Sequence, residues 1–450
     1  MTDLDKKYLV IGLGVSGMSV VRYLARIGAT FEIAETNAEL LAQQVRQEPL
    51  LDDVRSNTSA ISQELLCGFD CVVVSPGISV RTTAFENAID AGVEVIGDVE
   101  LFAREVRKPV FAVTGSNGKS TVVCMLGELL KAAGFNTAVI GNVGYACLDS
   151  LSDDTIDAYV LELSSFQLET TSSLKPLVAT VLNISEDHLD RYNGIEDYAS
   201  VKRGIYTGAV HAVFNADDAL TQPANMENFD SCVKFGSDAA TCEWSVTESD
   251  SGALLSGGEI AEIPAADLKV AGIHNRSNAL AAMAMASLAI DTGKAETERN
   301  FTKGLQQFTG LPHRTKLVCE ADNVSWINDS KGTNVGAAVS AIKGMSSPVV
   351  LIAGGRGKNA DYEPLRTVVE QCCKAVVLIG EDAARISKAI GDSLPVYFED
   401  SMAEAVKRAA EVASPGDCVL LSPACASFDM FKNFEERGVV FENEVKKLCA

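Results

Sequence analysis

Short apolar runs, each followed by a glycine-bearing loop and then by a helical pattern, recur along the chain. The run Lys7–Gly14 precedes helical spacing over Ser16–Gly28, and the run Val110–Gly115 precedes a second helical pattern over Gly118–Gly134. Continuous apolar runs are typical of strands that are buried on both faces of a parallel sheet. Parallel neighbours also need a crossover, which the intervening helices supply. The sequence therefore predicts an α/β fold built on parallel sheets.

These signals fall into three groups along the 450 residues, which is within the two to four domains expected at about 150 residues each. We expect a Rossmann-like N-terminal domain over residues 1–97. A central P-loop-type mononucleotide-binding sheet over residues 98–310 would carry a small β excursion at 237–263. A second Rossmann-like domain would cover residues 311–450. Ligands of open α/β sheets bind beyond the carboxyl ends of the strands, so polar motifs at those positions are the functional candidates.

The charge balance limits the partners. Lys and Arg number 38 and Asp and Glu number 61, which gives a net charge of −23. A surface this acidic repels phosphate backbones, so we expect no nucleic-acid partner. No apolar stretch reaches the length of about 18 residues that spans a bilayer, and the first residues do not resemble a signal peptide, which predicts a cytoplasmic protein without membrane insertion. The 12 cysteines are scattered and form no C-x-x-C pair, which predicts unpaired thiols in a reducing compartment.

The strongest local signal is TGSNGKST, which covers Thr114–Thr121 between an apolar run and a helical pattern. Backbone amides of such a loop can cradle phosphates, Lys119 can reach the terminal phosphates, and Ser120 can bind Mg²⁺. It is a shortened form of the Walker A pattern, because Val113 stands where that pattern has its first glycine. The alternative, a chance turn of small residues, fits the flanking strand and helix poorly.

A second glycine pattern, Gly12-x-Gly14-x-x-Gly17, follows the first apolar run and opens a helix. Glu35 follows at the end of the next strand-like run, where a ribose-binding acid would lie. This pattern favours a nucleotide diphosphate, although it does not distinguish NAD from a nucleotide-linked substrate. A turn that serves helix–strand packing alone is the other interpretation.

Acidic side chains follow two further strand-like runs. Glu162 ends a buried-looking run, where a carboxylate is costly unless it is paired or bound to a metal such as Mg²⁺. His188 lies among acids in NISEDHLDRY, which makes it a better ligand candidate than an isolated histidine. Lys202, on residue pattern alone, is an ordinary solvated lysine. The aromatic residues near Ser427 are more often core than ligand contacts.

Several motifs occur in a defined order: TGSNGKST, EDHLDRY, HNRSNALAA, LPHR, NDSKGTN, GGRGKNAD and SPACASFDMFKNFEERG. Their order and wording resemble the Mur ligases of peptidoglycan synthesis, over the chain from Gly12 to about Gly438. SPGI at Ser75–Ile78 and the SPACAS…FKNFEERG tail resemble the branch that adds D-glutamate. The resemblance implies an ATP-dependent ligase with UDP-N-acetylmuramoyl-L-alanine and D-glutamate as substrates, two Mg²⁺ sites and a monomeric state.

The resemblance also implies residue roles. The catalytic residues would be Lys119, His188 and Lys202, with the matching lysine of the family carbamylated. Mg²⁺ would be held by Ser120, Glu162, His188 and Lys202. ATP would be contacted by Gly115, Ser116, Asn117, Gly118, Lys119, Ser120, Thr121, Asn275, Arg314 and Asp329. The substrates would be contacted by Gly14, Ser16, Thr36, Ser75, Gly77, Asn142, Ser164, Thr333, Lys358, Ser427, Phe428 and Phe434.

Two positions depart from the family pattern: Asn37 stands where better-known members carry Arg, and Gly332 stands where Ala is usual. Three alternatives remain. Another Mur enzyme or a folate polyglutamate synthase would share the phosphate loop and differ in the amino-acid pocket. A nicotinamide-dependent oxidoreductase would use the first glycine pattern and leave the second unexplained. A nucleotide-gated binding protein would bind ATP without ligase chemistry.

Overall fold

The computed structural model describes residues 3–187, 191–250, 252–270, 272–290, 292–357 and 360–448. Two predicted site residues, His188 and Lys358, lie outside the described residues. Three sheets, each flanked by helices, confirm the α/β prediction.

The first sheet has five parallel strands in the order β3-β2-β1-β4-β5 within the described residues. The strands are β1 (Lys7–Ile11), β2 (Thr30–Ala34), β3 (Ser56–Asn57), β4 (Cys71–Val74) and β5 (Glu94–Ile96). The helices are α1 (Val15–Ile27), α2 (Ala38–Gln47), α3 (Gln63–Leu66), α4 (Thr83–Asp90) and α5 (Asp98–Glu105). The order changes direction beside β1, so the loops after β1 and β4 meet at the crevice where such sheets bind ligands.

The second sheet has nine strands in the order β14-β13-β12-β11-β10-β9-β6-β8-β7 in the part of the chain that is described. These are β6 (Val110–Thr114), β7 (Thr137–Gly141), β8 (Ala158–Glu162), β9 (Val178–Val181), β10 (His211–Asn215), β11 (Ser231–Gly236), β12 (Trp244–Ser249), β13 (Gly252–Ser256) and β14 (Glu262–Pro264). Its helices are α6 (Lys119–Ala132), α7 (Cys147–Ser150), α8 (Ser165–Leu168), α9 (Ile195–Arg203), α10 (Ile273–Ser287) and α11 (Lys294–Gln307). The antiparallel strands β12 to β14 are the predicted β excursion.

The third sheet has six strands in the order β15-β16-β20-β17-β18-β19 among the described residues, and β15 alone is antiparallel to its neighbour. The strands are β15 (Lys316–Ala321), β16 (Val324–Asn328), β17 (Val349–Gly354), β18 (Cys373–Ile379), β19 (Val396–Phe398) and β20 (Cys418–Leu421). The helices are α12 (Val335–Lys343), α13 (Glu363–Cys372), α14 (Ala383–Ile390), α15 (Met402–Val412) and α16 (Phe434–Leu448).

The apolar cores show how the three units are joined. One cluster runs continuously from Tyr8 and Leu24 of the first unit to Leu161 and Tyr198 of the second. The clusters of the third sheet contain residues from Val324 onward only, within the described ranges. The first two units are therefore joined by buried apolar surface, whereas the third has its own cores.

The expectation of unpaired thiols throughout is wrong at one position, because Cys319 is disulfide-bonded. Ten other cysteines are free thiols. No helix in the described ranges combines the length and apolar composition needed to cross a bilayer.

Candidate active site

The phosphate loop connects β6 to α6 at the carboxyl edge of the second sheet. Gly118 caps α6 in the left-handed conformation, with φ of 83°. A Cβ atom there would lie 2.5 Å from Oδ1 of Asn278, so the turn requires glycine both for conformation and for space. The Lys119 ammonium donates to the carbonyl oxygens of Gly115 at 2.8 Å and Ser116 at 2.9 Å. This places the cation over the loop, beside the open amides of the helix N-terminus, where phosphate binds.

The segment after β9 fixes this loop. The Ser116 amide donates to the Asn183 carbonyl at 2.8 Å, and the Asn117 amide donates to Asn183 Oδ1 at 2.8 Å. The Asn117 side chain also donates to Ser185 Oγ at 3.2 Å. The loop is therefore held in one shape before any ligand binds, which reduces the ordering cost of binding.

Glu162 ends β8 and is 1% exposed. Its Oε1 accepts from Nδ2 of Asn142 at 2.9 Å, while its Oε2 is buried with no hydrogen-bond partner among the described atoms. A buried carboxylate oxygen without a donor is costly, and a cation would satisfy it. No cluster of three or more His, Cys, Asp or Glu side chains able to hold a metal is found among the described residues, so Glu162 is a single carboxylate ligand candidate.

The prediction from residue pattern that Lys202 is a solvated lysine is wrong, because the side chain is buried. It is 1% exposed, and its Nζ donates to the Gly115 carbonyl at 2.9 Å and lies 3.3 Å from Thr114 Oγ1. Burial, followed by the nearby Lys119 cation, holds the pKa of Lys202 well below its usual value. The side chain therefore tends toward a neutral, nucleophilic amine.

Two further cations reach the phosphate loop region: Arg314, which lies just before β15, and Lys331, which follows β16. The Arg314 guanidinium donates to Ser120 Oγ at 2.7 Å, and burial lowers its pKa. Burial, Arg314 and Lys119 together lower the pKa of Lys331 to about 8. Cations crowded in a buried place with few carboxylates are the electrostatic pattern of a polyanion site.

A cavity of about 370 Å³ lies between the second and third units. Asn117, Gly118, Thr121, Asn275, Arg314 and Asp329 line it, together with Lys331. Burial raises the pKa of Asp329 to about 6, although the carboxylate accepts from Ser422 Oγ at 2.7 Å and the Thr315 amide at 3.1 Å. A Cβ at Gly332 would lie 2.6 Å from Asp329 Oδ2, so this departure from the family pattern gives room to the Asp329–Ser422 hydrogen bond.

A second cavity, of about 690 Å³, opens at the carboxyl edge of the first sheet. It brings together six predicted substrate residues, Gly14, Ser16, Thr36, Ser75, Gly77 and Asn142. Glu35 lines it too, but its carboxylate accepts from the Leu13 amide at 2.9 Å and the Asn37 amide at 2.8 Å. The predicted ribose acid thus holds its own loops together. The Asn37 side chain accepts from the first amides of α2, so it caps that helix.

A third cavity, of about 470 Å³, lies between the other two. It is lined by Thr333, Ser427, Phe428 and Phe434 of the third unit and by Lys119, Glu162, Ser164 and Lys202 of the second unit. Phe428 is 65% exposed, so it is not a core residue. Asn142 borders both the second and third cavities, and Arg314 and Lys331 border both the first and third. The third cavity therefore joins the other two, and Lys119 and Glu162 lie on its wall.

Sequence reasoning did not single out Lys331, Asn334 or Asn183. The Asn334 amide donates to Asn117 Oδ1 at 3.1 Å across the boundary between the second and third units. Lys331 and Asn334 lie within NDSKGTN, where the mixture of Lys, Thr and Asn after a strand was the available signal.

Comparison with known proteins agrees with this geometry. Residues 6–97 match the family model described as Mur ligase MurD-like, N-terminal domain. Residues 113–286 match the Mur ligase middle domain, and residues 313–425 match the Mur ligase, glutamate ligase domain. The chain belongs to the Mur ligase family.

Two curated relatives within the Mur ligase family are similar to the chain over nearly its whole length. Both are named UDP-N-acetylmuramoylalanine--D-glutamate ligase. The protein from Legionella pneumophila (strain Paris) is 44% identical over 98% of this chain and 99% of its own length. The protein from Pseudomonas aeruginosa is 46% identical over 99% of each chain.

Solved Mur ligase structures share the fold at low identity. A MurF ligase from Thermotoga maritima in complex with ADP aligns with a TM-score of 0.62 at 14% identity and covers 100% of each chain. The UDP-N-acetylmuramate-alanine ligase MurC from the same organism aligns at 0.59 with 20% identity, over 98% of this chain and 100% of its own. These likenesses establish the three-unit architecture.

Proposed function

We propose that this Mur ligase joins D-glutamate to UDP-N-acetylmuramoyl-L-alanine at the expense of ATP, in the cytoplasm and as a monomer, for peptidoglycan precursor synthesis. The observation that carries the proposal is a third cavity that is lined by Lys119 and Glu162 and shares lining residues with each of the other two cavities. A ligase of this kind needs a site for each of three reactants, with their reacting atoms in one place. Its relatives that carry the D-glutamate ligase name are alike over nearly the full chain.

ATP would occupy the first cavity, with its phosphates directed over the N-terminus of α6. Asn275 and Asp329, which line that cavity, would contact the nucleoside. Arg314 lines both the first and third cavities and would contact the phosphates together with Lys119 of the third cavity. The lowered pKa values of Lys331 and Lys202 support this placement, because a bound polyanion would compensate the crowded cations.

Mg²⁺ fits the residues present. The unpartnered Glu162 Oε2 and the buried Ser120 hydroxyl are oxygen ligands of the type that Mg²⁺ prefers. A second Mg²⁺ would be held by Glu162, His188 and Lys202. When bound, these ions neutralise charge on the transferring phosphoryl group.

Lys202 would serve as a metal ligand in its carbamylated form. An ammonium group repels Mg²⁺, but a neutral amine can add carbon dioxide and become an anion. Burial and the proximity of Lys119 favour the neutral amine that this addition needs. The Gly115 carbonyl and the Thr114 hydroxyl hold the side chain in place.

The reaction would proceed in two steps. A carboxylate oxygen of the UDP-linked substrate attacks the γ-phosphorus of ATP, and the bond between this phosphorus and the β,γ-bridging oxygen breaks. The products of this step are an acyl phosphate and ADP. Lys119 and Arg314 allow the two anions to approach. The neutral amine of D-glutamate then attacks the acyl carbon, the amide bond forms, and inorganic phosphate leaves. The amine proton passes to a base, for which His188 or a nearby carboxylate is the candidate.

D-Glutamate would bind in the third cavity. Thr333, Ser427, Phe428 and Phe434 line the wall that faces Lys119, with Lys358 as a further candidate. This wall belongs to the third unit, so the amine acceptor and the phosphate loop lie on different units. Closure of these two units around the acyl phosphate would exclude water.

The test is phosphate release from ATP and Mg²⁺ with UDP-N-acetylmuramoyl-L-alanine and one amine at a time. The amines are D-glutamate, L-glutamate, L-lysine, meso-diaminopimelate and none. Release that needs both the UDP-linked substrate and D-glutamate is the expected result. Release with another amine would move the chain to a different ligase step. ATP binding without amine-dependent release would favour a gated binding protein.

A further inference from the structure

The loop after β4, residues 75–78, lines the second cavity. Arg81 follows this loop in the sequence. The Arg81 guanidinium donates to both carboxylate oxygens of Asp197, with Nη2 at 3.1 Å from Oδ1, and its Nε donates to Glu169. Asp197 lies in the first turn of α9, and Glu169 follows α8. An arginine of the first unit is thus bound by two carboxylates of the second. Bidentate pairs of this kind fix orientation as well as distance.

Arg191 approaches the same loop from the other side. Its Nη2 donates to the Ile78 carbonyl at 2.9 Å and its Nη1 to the Pro76 carbonyl at 3.4 Å. Its guanidinium lies 3.8 Å from the centre of the Phe166 ring. The backbone beside Gly77 is therefore held by a side chain of the second unit.

Aromatic contacts continue from these arginines to the reaction centre. Arg81 lies 4.7 Å from the Tyr192 ring centre, and the Tyr192 and Tyr198 rings lie 5.2 Å apart. Tyr198 in turn lies 4.7 Å from Lys202 Nζ. One helix, α9, carries Asp197, Tyr198 and Lys202.

We infer that Arg81, Glu169, Arg191 and Asp197 form an arginine clamp whose role is positional. It holds the 75–78 loop in register with α9, so that a substrate bound in the second cavity presents its carboxylate at Lys119. This inference rests on the proposed function. Among the described residues, the hydrogen bonds and ion pairs of the clamp residues do not reach the phosphate loop, so the clamp would act through the 75–78 loop and α9, which it joins.

This role predicts that loss of the clamp changes kcat and substrate affinity to different extents. A displaced loop still offers its backbone to the nucleotide end of the substrate, but the carboxylate arrives out of position. Misplacement by about 1 Å can cost on the order of 10²-fold in rate. Breaking the clamp is therefore expected to lower kcat without weakening substrate binding.

The chain offers a matched control. Arg22 of α1 donates from Nε to Asp149 Oδ1 at 3.1 Å and from Nη2 to Oδ2, which is also a bidentate pair between the first two units. The side chains of this control pair are 39% and 37% exposed, against 30% and 27% for Arg81 and Asp197. In the described part of the chain, the side-chain contacts of Arg22 are to Asp149 and Glu48 and not to the 75–78 loop.

The experiment compares Arg81→Met, Asp197→Asn and Arg22→Met with the wild-type enzyme after D-glutamate-dependent phosphate release has been established. Each variant is measured for kcat, for equilibrium binding of UDP-N-acetylmuramoyl-L-alanine, for binding of ATP and for thermal unfolding. We expect kcat to fall by about 10- to 100-fold in the two clamp variants, with both binding constants within about threefold of wild type. Arg22→Met should leave kcat unchanged.

A double variant tests the pair itself. Arg81→Met combined with Asp197→Asn should lose little more kcat than Arg81→Met alone, because the two residues act through one shared contact. Unchanged kcat in Arg81→Met and Asp197→Asn would overturn the clamp. Equal losses in the clamp and control variants, or weakened substrate binding at unchanged kcat, would overturn it too. A wild-type enzyme without amine-dependent release would instead count against the proposed function.

Discussion

Two loops of this chain have the same local construction and different electrostatics. Each follows a buried parallel strand, turns on glycine and opens a helix: Gly12–Gly17 after β1 and Gly115–Gly118 after β6. The cavity at the first loop has no Lys or Arg among its described lining residues. The cavities at the second are lined by Lys119, Lys202, Arg314 and Lys331. The shared pattern makes a nucleotide-sized crevice, and the added cations make one of the two suitable for chemistry.

The glycines also serve different purposes. A Cβ at Gly17 would lie 1.8 Å from the Gly12 carbonyl oxygen, so this glycine allows α1 to pack against the preceding turn. Gly118 has the left-handed conformation that begins α6 and directs its amides outward. In the proposed function, the first loop would be a surface on which the UDP-linked substrate lies, whereas the second would surround the transferring phosphate. Binding that is equal in ground and transition states changes KM, and charge aimed at the transition state changes kcat.

Removal of the phosphate-loop cation should have the largest effect. Lys119→Ala should lower kcat by about 10³-fold, because the Lys119 ammonium lies over the loop, where it would meet the charge that develops on the transferring phosphoryl group. The UDP-linked substrate should still bind with its wild-type affinity. Steady-state kinetics and equilibrium binding measure the two quantities.

Lys131→Ala is the control for that variant. It lies on the same helix, is 48% exposed and pairs with Glu128. Its activity should match wild type. A Lys119→Ala enzyme that kept kcat and lost only ATP affinity would show that the second loop, like the first, supplies binding alone.

Glu162→Gln should be next in size. The substitution keeps an acceptor for Asn142 and removes the charge at the unpartnered oxygen. We expect kcat to fall by about 10²-fold at ordinary Mg²⁺ concentration and to recover in part as Mg²⁺ is raised. A Mg²⁺ titration of activity measures this, with Glu128→Gln on the outer face of α6 as the control. A loss that Mg²⁺ does not change would exclude Glu162 as a ligand.

The pH dependence of activity should show an effect of intermediate size, which comes from Asp329 and Lys331 in the cavity beside the phosphate loop. Asp329, with its pKa raised to about 6, loses its charge below that pH, and Lys331, with its pKa lowered to about 8, loses its charge above that pH. The profile of kcat/KM for ATP should therefore be bell-shaped, with a maximum near pH 7 and about half of that value near pH 6 and near pH 8. Lys331→Arg should remove the alkaline limb, because arginine stays charged. An alkaline limb that survives in Lys331→Arg would belong to another group.

The local parts of both sites could be predicted from the sequence. A strand, a glycine turn and a helix start lie within about ten residues of one another, so TGSNGKST and the first glycine pattern predicted their own geometry. Glu162 was also accessible, since a carboxylate that ends a buried strand needs a partner. Its unpartnered oxygen agrees with that argument.

The non-local parts could not be predicted in this way. Lys202 is a helix residue of unremarkable spacing, and only the packing of α9 against β6 makes it buried. Glu35 fits a ribose-binding pattern, yet two amides of its own loops occupy its carboxylate. Arg81 and Asp197 are 116 residues apart and carry no motif. Contacts of this type depend on how whole units dock, which local patterns do not encode.

The smallest effect is expected for a substitution beside the first loop, whose cavity has no Lys or Arg among its described lining residues. Ser75 Oγ donates to the Gly12 carbonyl at 2.9 Å, which ties the loop after β4 to the loop after β1. Ser75→Ala should raise KM for UDP-N-acetylmuramoyl-L-alanine by about three- to tenfold, the cost of one neutral hydrogen bond, and leave kcat and the KM for ATP unchanged. Steady-state kinetics with each substrate varied in turn measures all three. A fall in kcat at unchanged KM would mean that this hydrogen bond positions the substrate carboxylate, as the arginine clamp is inferred to do, and its assignment to binding would then fail.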